Sequence, residues 1–180
     1  GMAPGALNGL IEANQGFVPS YGADPLCAEA ADLIRQRLDA DAEVRFVFSG
    51  TAANAMAISM LARPYEAVLT HHAAHICTDE TGAPGFFGQG VGLIGLPGYS
   101  GKIDEEAFLA GLGEPVVGHR QPVAALSLTQ TTEYGTVYSE QELSRLIGPA
   151  KAAGLGVHMD GARLANAAAA GFDLTSIAKM

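Results

Sequence analysis

The stretch Leu155-Gly156-Val157-His158-Met159-Asp160-Gly161-Ala162-Arg163 decides the fold class. A short apolar run carries the chain to Asp160, Gly161 turns it, and a helical stretch follows. This reads as a buried strand over 155–159 feeding a helix, the unit from which parallel sheets are built. Working outward, the unit recurs. Val123 to Leu128 is a strand, and Ser139 with Glu142 three residues on makes a capping box before a helix to Ala153. Val91 to Leu96 is a strand; after the turn Pro97-Gly98-Tyr99-Ser100-Gly101, Asp104 caps a helix to about Leu112. Ala67 to Thr70 is another strand. Val44 to Phe48, apolar and rich in β-formers, reads as a buried strand that breaks at Ser49-Gly50 before an alanine-rich helix over 51–61. Pro25 sits in the first turn of a helix capped by Asp24 and reaching about Leu38, and Leu7 to Asn14 is a short helix. Two more helical stretches follow Arg163.

Strands alternating with helices predict an α/β protein with three α/β/α layers and a mainly parallel sheet. Ligands of such sheets gather outside the carboxyl ends of the strands. Three candidate motifs fall at predicted strand ends: Ser49-Gly50-Thr51, His71-His72-Ala73-Ala74-His75, and His158-Met159-Asp160-Gly161-Ala162-Arg163.

Composition narrows the function classes. Hydrophobic residues make up 48% of the 180 and charged residues 16%, a globular balance with enough chain for a sizeable core. The net charge is −9 and the ten Lys and Arg are scattered, so neither a nucleic-acid footprint nor an anionic membrane surface is expected as a partner. No apolar run is long enough to predict a transmembrane helix, and residues 1–5 lack the basic start and apolar run of a signal peptide. Cys27 and Cys77 form no CxxC and no disulfide framework, which suits a reducing, cytoplasmic setting.

Each motif carries a chemical reading and a plain one. Ser49-Gly50-Thr51-Ala52-Ala53-Asn54 opens a helix, whose first backbone N–H groups and dipole favour an anion. Gly50 allows close approach, and Ser49 and Thr51 add hydroxyls; an ordinary Ser/Thr cap accounts for the same residues. His71, His72, His75, Cys77, Asp79 and Glu80 lie close together in sequence. They invite a metal reading, with His71 and His75 on one helical face, but HExxH is absent. An imidazole lying on an aromatic cofactor, or a satisfied buried histidine in a polar loop, ranks ahead. Asp160 at a strand end can pair with a protonated ring nitrogen, as a pyridoxal cofactor requires, and Arg163 can grip a carboxylate. The plain alternative is Asp160 as a helix cap with Arg163 on the surface. No GxSxG elbow, Walker loop or GxGxxG follows a strand.

Taken together these motifs resemble the L-threonine aldolase and β-eliminating lyase family, of the aspartate-aminotransferase fold type. The resemblance runs nearly end to end through Tyr21-Gly22-Ala23-Asp24-Pro25, Ser49-Gly50-Thr51-Ala52-Ala53-Asn54, Ala74-His75-Ile76 with Glu80, Gly135-Thr136-Val137, and His158-Met159-Asp160-Gly161-Ala162-Arg163. It implies that residues 1–180 are a single, incomplete large domain of a pyridoxal-phosphate transferase-like fold, without the small C-terminal domain. It implies pyridoxal 5'-phosphate, with Ser49, Gly50 and Thr51 at the phosphate, His75 on the ring, Glu80 in the pocket and Asp160 at the ring nitrogen. Arg163 would contact cofactor or substrate carboxylate, and Tyr21 would lie near the substrate. The implied reaction splits a β-hydroxy amino acid between Cα and Cβ into glycine and an aldehyde; His75, Asp160 and Arg163 would carry it, His75 as the base for the hydroxyl proton. A homo-oligomer, dimer or tetramer, is implied.

Three departures qualify this. The family's cofactor-anchoring lysine lies well after Asp-Gly-Ala-Arg, whereas the lysines here are Lys102, Lys151 and Lys179. The 180-residue segment alone is therefore expected to be inactive. The family's usual opening Ser-Asp segment is missing before Gly1. Many members carry a second histidine just before Gly-Thr-Val, where this chain has Glu133-Tyr134. Alternatives remain: another pyridoxal-phosphate β-elimination, a lysine-less module that binds only cofactor or partner, or a metal site on His71, His72, His75 and Cys77.

Overall fold

The computed structural model describes residues 1–113 and 118–180, which form two compact units, Gly1–Phe46 and Val47–Met180. The first holds α1 (Pro4–Ala13) and α2 (Pro25–Leu38). Asp24 caps α2 as expected, its Oδ1 accepting the Cys27 N–H at 3.0 Å. At the other end Asp39 turns left-handed, φ 49°. Arg35, in the last turn, donates to the Ala42 carbonyl at 2.8 Å and so ties the chain that leaves the helix back to it.

The strand expected over Val44–Phe48 is not formed. Phe46 is 55% and Phe48 95% exposed. An apolar β-prone run becomes a strand only where a sheet edge takes up its N–H and C=O groups. Among the described residues the four strands that form pair only with one another. The Ser49-Gly50-Thr51 motif therefore opens a helix without following a strand.

The second unit is built on a parallel sheet: β1 (Ala67–His71), β2 (Gly92–Leu96), β3 (Val123–Thr129) and β4 (Gly156–Asp160), in spatial order β2-β1-β3-β4. The remaining helices are α3 (Gly50–Leu61), α4 (His75–Thr78), α5 (Ala83–Phe87), α6 (Glu105–Gly113), α7 (Glu140–Ala152) and α8 (Leu164–Ala169), with a closing 3₁₀ turn over Leu174–Lys179. The capping box of α7 is present, Ser139 and Glu142 satisfying each other's backbone N–H.

Strand periodicity sorts the side chains into two cores. Leu69, Leu126 and Leu128 pack with Phe108 of α6 and Leu143, Leu146 and Ile147 of α7. On the other face Val68 and Ala125 pack with Ile58 of α3 and Ile76 of α4. The sheet is thus covered on both faces, which confirms the three-layer α/β arrangement. The α3 face is small and polar towards the strands' carboxyl ends, where Ser127 stands beside His158 and Thr129 beside Asp160. The strand order reverses between the two central strands: the chain leaves β1 for β2 on one side and leaves β3 for β4 on the other. Such a reversal leaves a crevice at the carboxyl ends.

Candidate functional site

Asp160 is the last residue of β4 and is buried. Its Oδ1 accepts the Ala162 N–H at 3.0 Å, so the turn after the strand fixes the carboxylate. Its Oδ2 accepts from Asn54 Nδ2 at 3.0 Å. The same nitrogen donates to Glu80 Oε1 at 2.7 Å, and that oxygen also meets His75 Nδ1 at 2.9 Å. One hydrogen-bonded array, Asp160–Asn54–Glu80–His75, thus joins β4, α3, the segment after α4, and the first residue of α4. Since a carboxylate only accepts, His75 holds a proton on Nδ1 and turns Nε2 outward from the pair. The Glu80 hydrogen bond raises the His75 pKa above its ordinary value against a smaller opposing effect of burial, and the charges of Glu133 and Asp79 act in the same direction as Glu80. Glu80 Oε2 is buried without a partner among the described residues.

Ser49 caps α3 with its hydroxyl, which accepts the Ala52 N–H at 3.1 Å, while its carbonyl accepts the Ala53 N–H. The amides of Gly50 and Thr51 remain at the head of the helix, where the dipole is positive. A Cβ placed on Gly50 would meet nothing within 4 Å among the described residues, so it leaves room beside those amides. Asn54, one turn further on, bears on the array described above.

Arg163, at the start of α8, donates to Glu133 Oε2 at 2.6 Å; the other Glu133 oxygen is buried without a partner among the described residues. The structure therefore brings Asp160, Glu80 and His75 together, and ties Arg163 to a partner that the motifs had not assigned. Tyr21 belongs to the first unit, where it is fully exposed with φ 63°. His71 and His75 do not share a helix, because His71 ends β1 and His75 begins α4. His71 and His72 are instead held by backbone, the first accepting the Ala73 N–H and the second bonding to the Leu96 carbonyl. No group of three or more His, Cys, Asp or Glu is arranged to hold a metal ion among the described residues.

Sequence reading missed Asn54 and Glu133 as functional candidates. A signal for Asn54 existed: asparagine inside an alanine-rich helix competes with the backbone for hydrogen bonds and is disfavoured unless its side chain is used elsewhere.

His158 lies under the same helix, buried, with Nδ1 2.8 Å from Ser127 Oγ. Burial lowers its pKa below the ordinary 6.5, against weaker opposing effects of Asp160 and Glu80. The native protein thus keeps His158 neutral while the unfolded chain takes up a proton. Its contribution to stability is complete above pH 6.5 and is lost as the pH falls from there towards the folded value. His75 has the opposite sign, its contribution being lost as the pH rises through its raised folded value, but with 37% of its side chain exposed that contribution is screened. The denaturant midpoint is expected to drop between about pH 7 and about pH 5.5. The His158→Gln variant should flatten that slope, and an unchanged slope would remove His158 as its cause.

The β-eliminating lyase family profile matches residues 5–180. A low-specificity L-threonine aldolase of Pseudomonas aeruginosa is 40% identical over 170 residues, covering 94% of this chain and 49% of that one. A probable low-specificity L-threonine aldolase of Schizosaccharomyces pombe is 35% identical over 128 residues, covering 69% and 33%. The threonine aldolase of Leishmania major superposes with a TM-score of 0.93 at 36% identity, over 99% of this chain and 53% of that one. An aromatic aminotransferase of Pyrococcus horikoshii, 17% identical with a TM-score of 0.62, shares the fold. The chain spans about half the length of the Pseudomonas relative. No helix among the described residues is long and apolar enough to cross a membrane. The chain belongs to the β-eliminating lyase family, whose members are pyridoxal-phosphate-dependent lyases.

Proposed function

We propose that this chain supplies the cofactor pocket of an aldolase that cleaves a threonine-like β-hydroxy amino acid to glycine and an aldehyde. The observation that carries the reading is the Asp160–Asn54–Glu80–His75 array at the carboxyl ends of the strands. The residues present fit pyridoxal phosphate. Among the described residues each Asp160 oxygen has one donor and so keeps room to accept a proton-bearing ring nitrogen. The Gly50 and Thr51 amides, with Ser49 at the cap, suit a phosphate dianion.

When bound, the cofactor supplies an electron sink for the charge left at Cα as the Cα–Cβ bond breaks. Asp160 would pair with the ring nitrogen and keep it protonated. His75 would face the bound cofactor, and its Nε2 would take the β-hydroxyl proton, the Glu80 contact at Nδ1 supporting the positive charge that results. Arg163 orients a carboxylate or the ring substituent beside it. The family resemblance assigns Tyr21 to the substrate. Residues 1–180 belong to the large domain of a cytoplasmic homo-oligomer; the free cysteines Cys27 and Cys77 accord with a reducing compartment.

Lys102 is committed to Glu142 at 2.7 Å and Lys151 to the Met180 carbonyl, while Lys179 lies 3.2 Å from Thr175 Oγ1. None stands in the array, so the 180 residues by themselves are expected to have no turnover. The test uses the full-length protein containing these residues, incubated with pyridoxal phosphate and L-threonine. Equimolar glycine and acetaldehyde are expected. Absence of both, with pyruvate formed from serine or cysteine derivatives, would replace aldol cleavage by β-elimination.

A further inference from the structure

We propose that Asn54 is the positioning residue that binds Asp160 and the Glu80–His75 pair into one array, spending its two amide protons on the two carboxylates. This deepens the aldolase reading and rests on it for the roles of Asp160 and His75. The geometry itself stands apart from that reading. Asn54 is 6% exposed, and both of its donor contacts are short, 2.7 Å to Glu80 Oε1 and 3.0 Å to Asp160 Oδ2.

An amide nitrogen has two protons and no lone pair to offer, so both partners must act as acceptors. A protonated carboxyl turned towards Asn54 would set donor against donor. Asn54 thereby gives each of the two carboxylates one donor from a single nitrogen. Glu80 Oε1 divides itself between Asn54 and His75. Asn54 therefore tempers how strongly Glu80 pulls on the imidazole, and it fixes the proton on Nδ1. The other charged groups acting on His75 are Asp79 and Glu133, neither of which Asn54 touches among the described contacts.

This arrangement gives a sign that loosened packing would not produce. Removing Asn54 takes one donor from Glu80, which leaves more of its charge to His75, so the His75 pKa should rise. If Asn54 merely filled space, its loss would free His75 from Glu80 and the pKa would fall towards that of an ordinary histidine.

The experiment is a pH titration of the ring nitrogens by NMR in the full-length protein labelled at histidine, the His75 signal being assigned by its loss in His75→Phe. Asn54→Ala is expected to shift the His75 titration upward while Nδ1 stays protonated. Asn54→Leu keeps the bulk, offers no donor and adds no charge, so it should shift the titration the same way and carries the test if the alanine variant does not fold. A downward or unchanged titration in the folded variant overturns the proposal. In parallel, the affinity for pyridoxal phosphate should weaken about tenfold or more, as expected for loss of a hydrogen bond to a charged group. Failure of the unaltered protein to bind pyridoxal phosphate would defeat the aldolase reading alone, and the His75 shift would still decide the role of Asn54.

Discussion

Replacing Asp160 by alanine in the full-length protein is expected to cut kcat for threonine cleavage by about 10³-fold, the scale on which a preorganised electrostatic partner acts. The reason is local. Asp160 is the one carboxylate of the array placed at a strand end and gripped by its own turn through the Ala162 N–H. On the role proposed for Asp160, the ring nitrogen would lose the anion that keeps its proton, and the electron sink would weaken. Asparagine is no substitute. Its oxygen can still take the Ala162 N–H, but its Nδ2 then faces Asn54 Nδ2, donor against donor, and no negative charge remains. The asparagine variant should therefore lose activity on the same scale, with an absorption spectrum whose pH dependence reports a deprotonated ring. Retention of turnover within about tenfold would remove Asp160 from this role.

The second large effect separates two jobs assigned to His75. His75→Phe keeps a flat aromatic face but abolishes the proton acceptor. Turnover should fall by about 10²-fold or more while cofactor affinity changes little. His75→Ala removes both and should weaken cofactor binding as well. The Glu80 hydrogen bond raises the pKa of the imidazole, so the acidic limb of the pH–rate profile, which reports the base in its free form, should lie above the ordinary histidine value and disappear in His75→Phe. A phenylalanine variant that keeps both its turnover and its acidic limb would assign the hydroxyl proton to another group.

Much of this was legible along the chain, and the exceptions have physical causes. The strands over 67–71, 92–96, 123–129 and 156–160 were readable because each is a short apolar run, and the second and third are followed by helices capped by Asp104 and Ser139. The Asp24 cap and the Ser139–Glu142 box are local signals, complete within four residues. Val44–Phe48 carries the same apolar content and forms no strand, since pairing depends on an available edge and not on the run itself. At the site, His75, Glu80 and Asp160 were named because their chemistry singles them out wherever they fall. Asn54 was not, because an amide takes its meaning from what folds against it, here carboxylates 26 and 106 residues away. Glu133 stood out only as a departure from the family, and its hold on Arg163 emerged once β3 and β4 lay side by side.

Helix α3 begins at Gly50 and reaches Asn54 four residues later, a rise of about 6 Å and a little over one turn. The proposed phosphate seat and the amide that braces the ring-nitrogen carboxylate are therefore graduations on a single rigid rod. Their separation and bearing are set by backbone hydrogen bonds, independent of how any loop settles. A cofactor whose phosphate and ring are joined by a short linker would be met there by a protein gauge of fixed length.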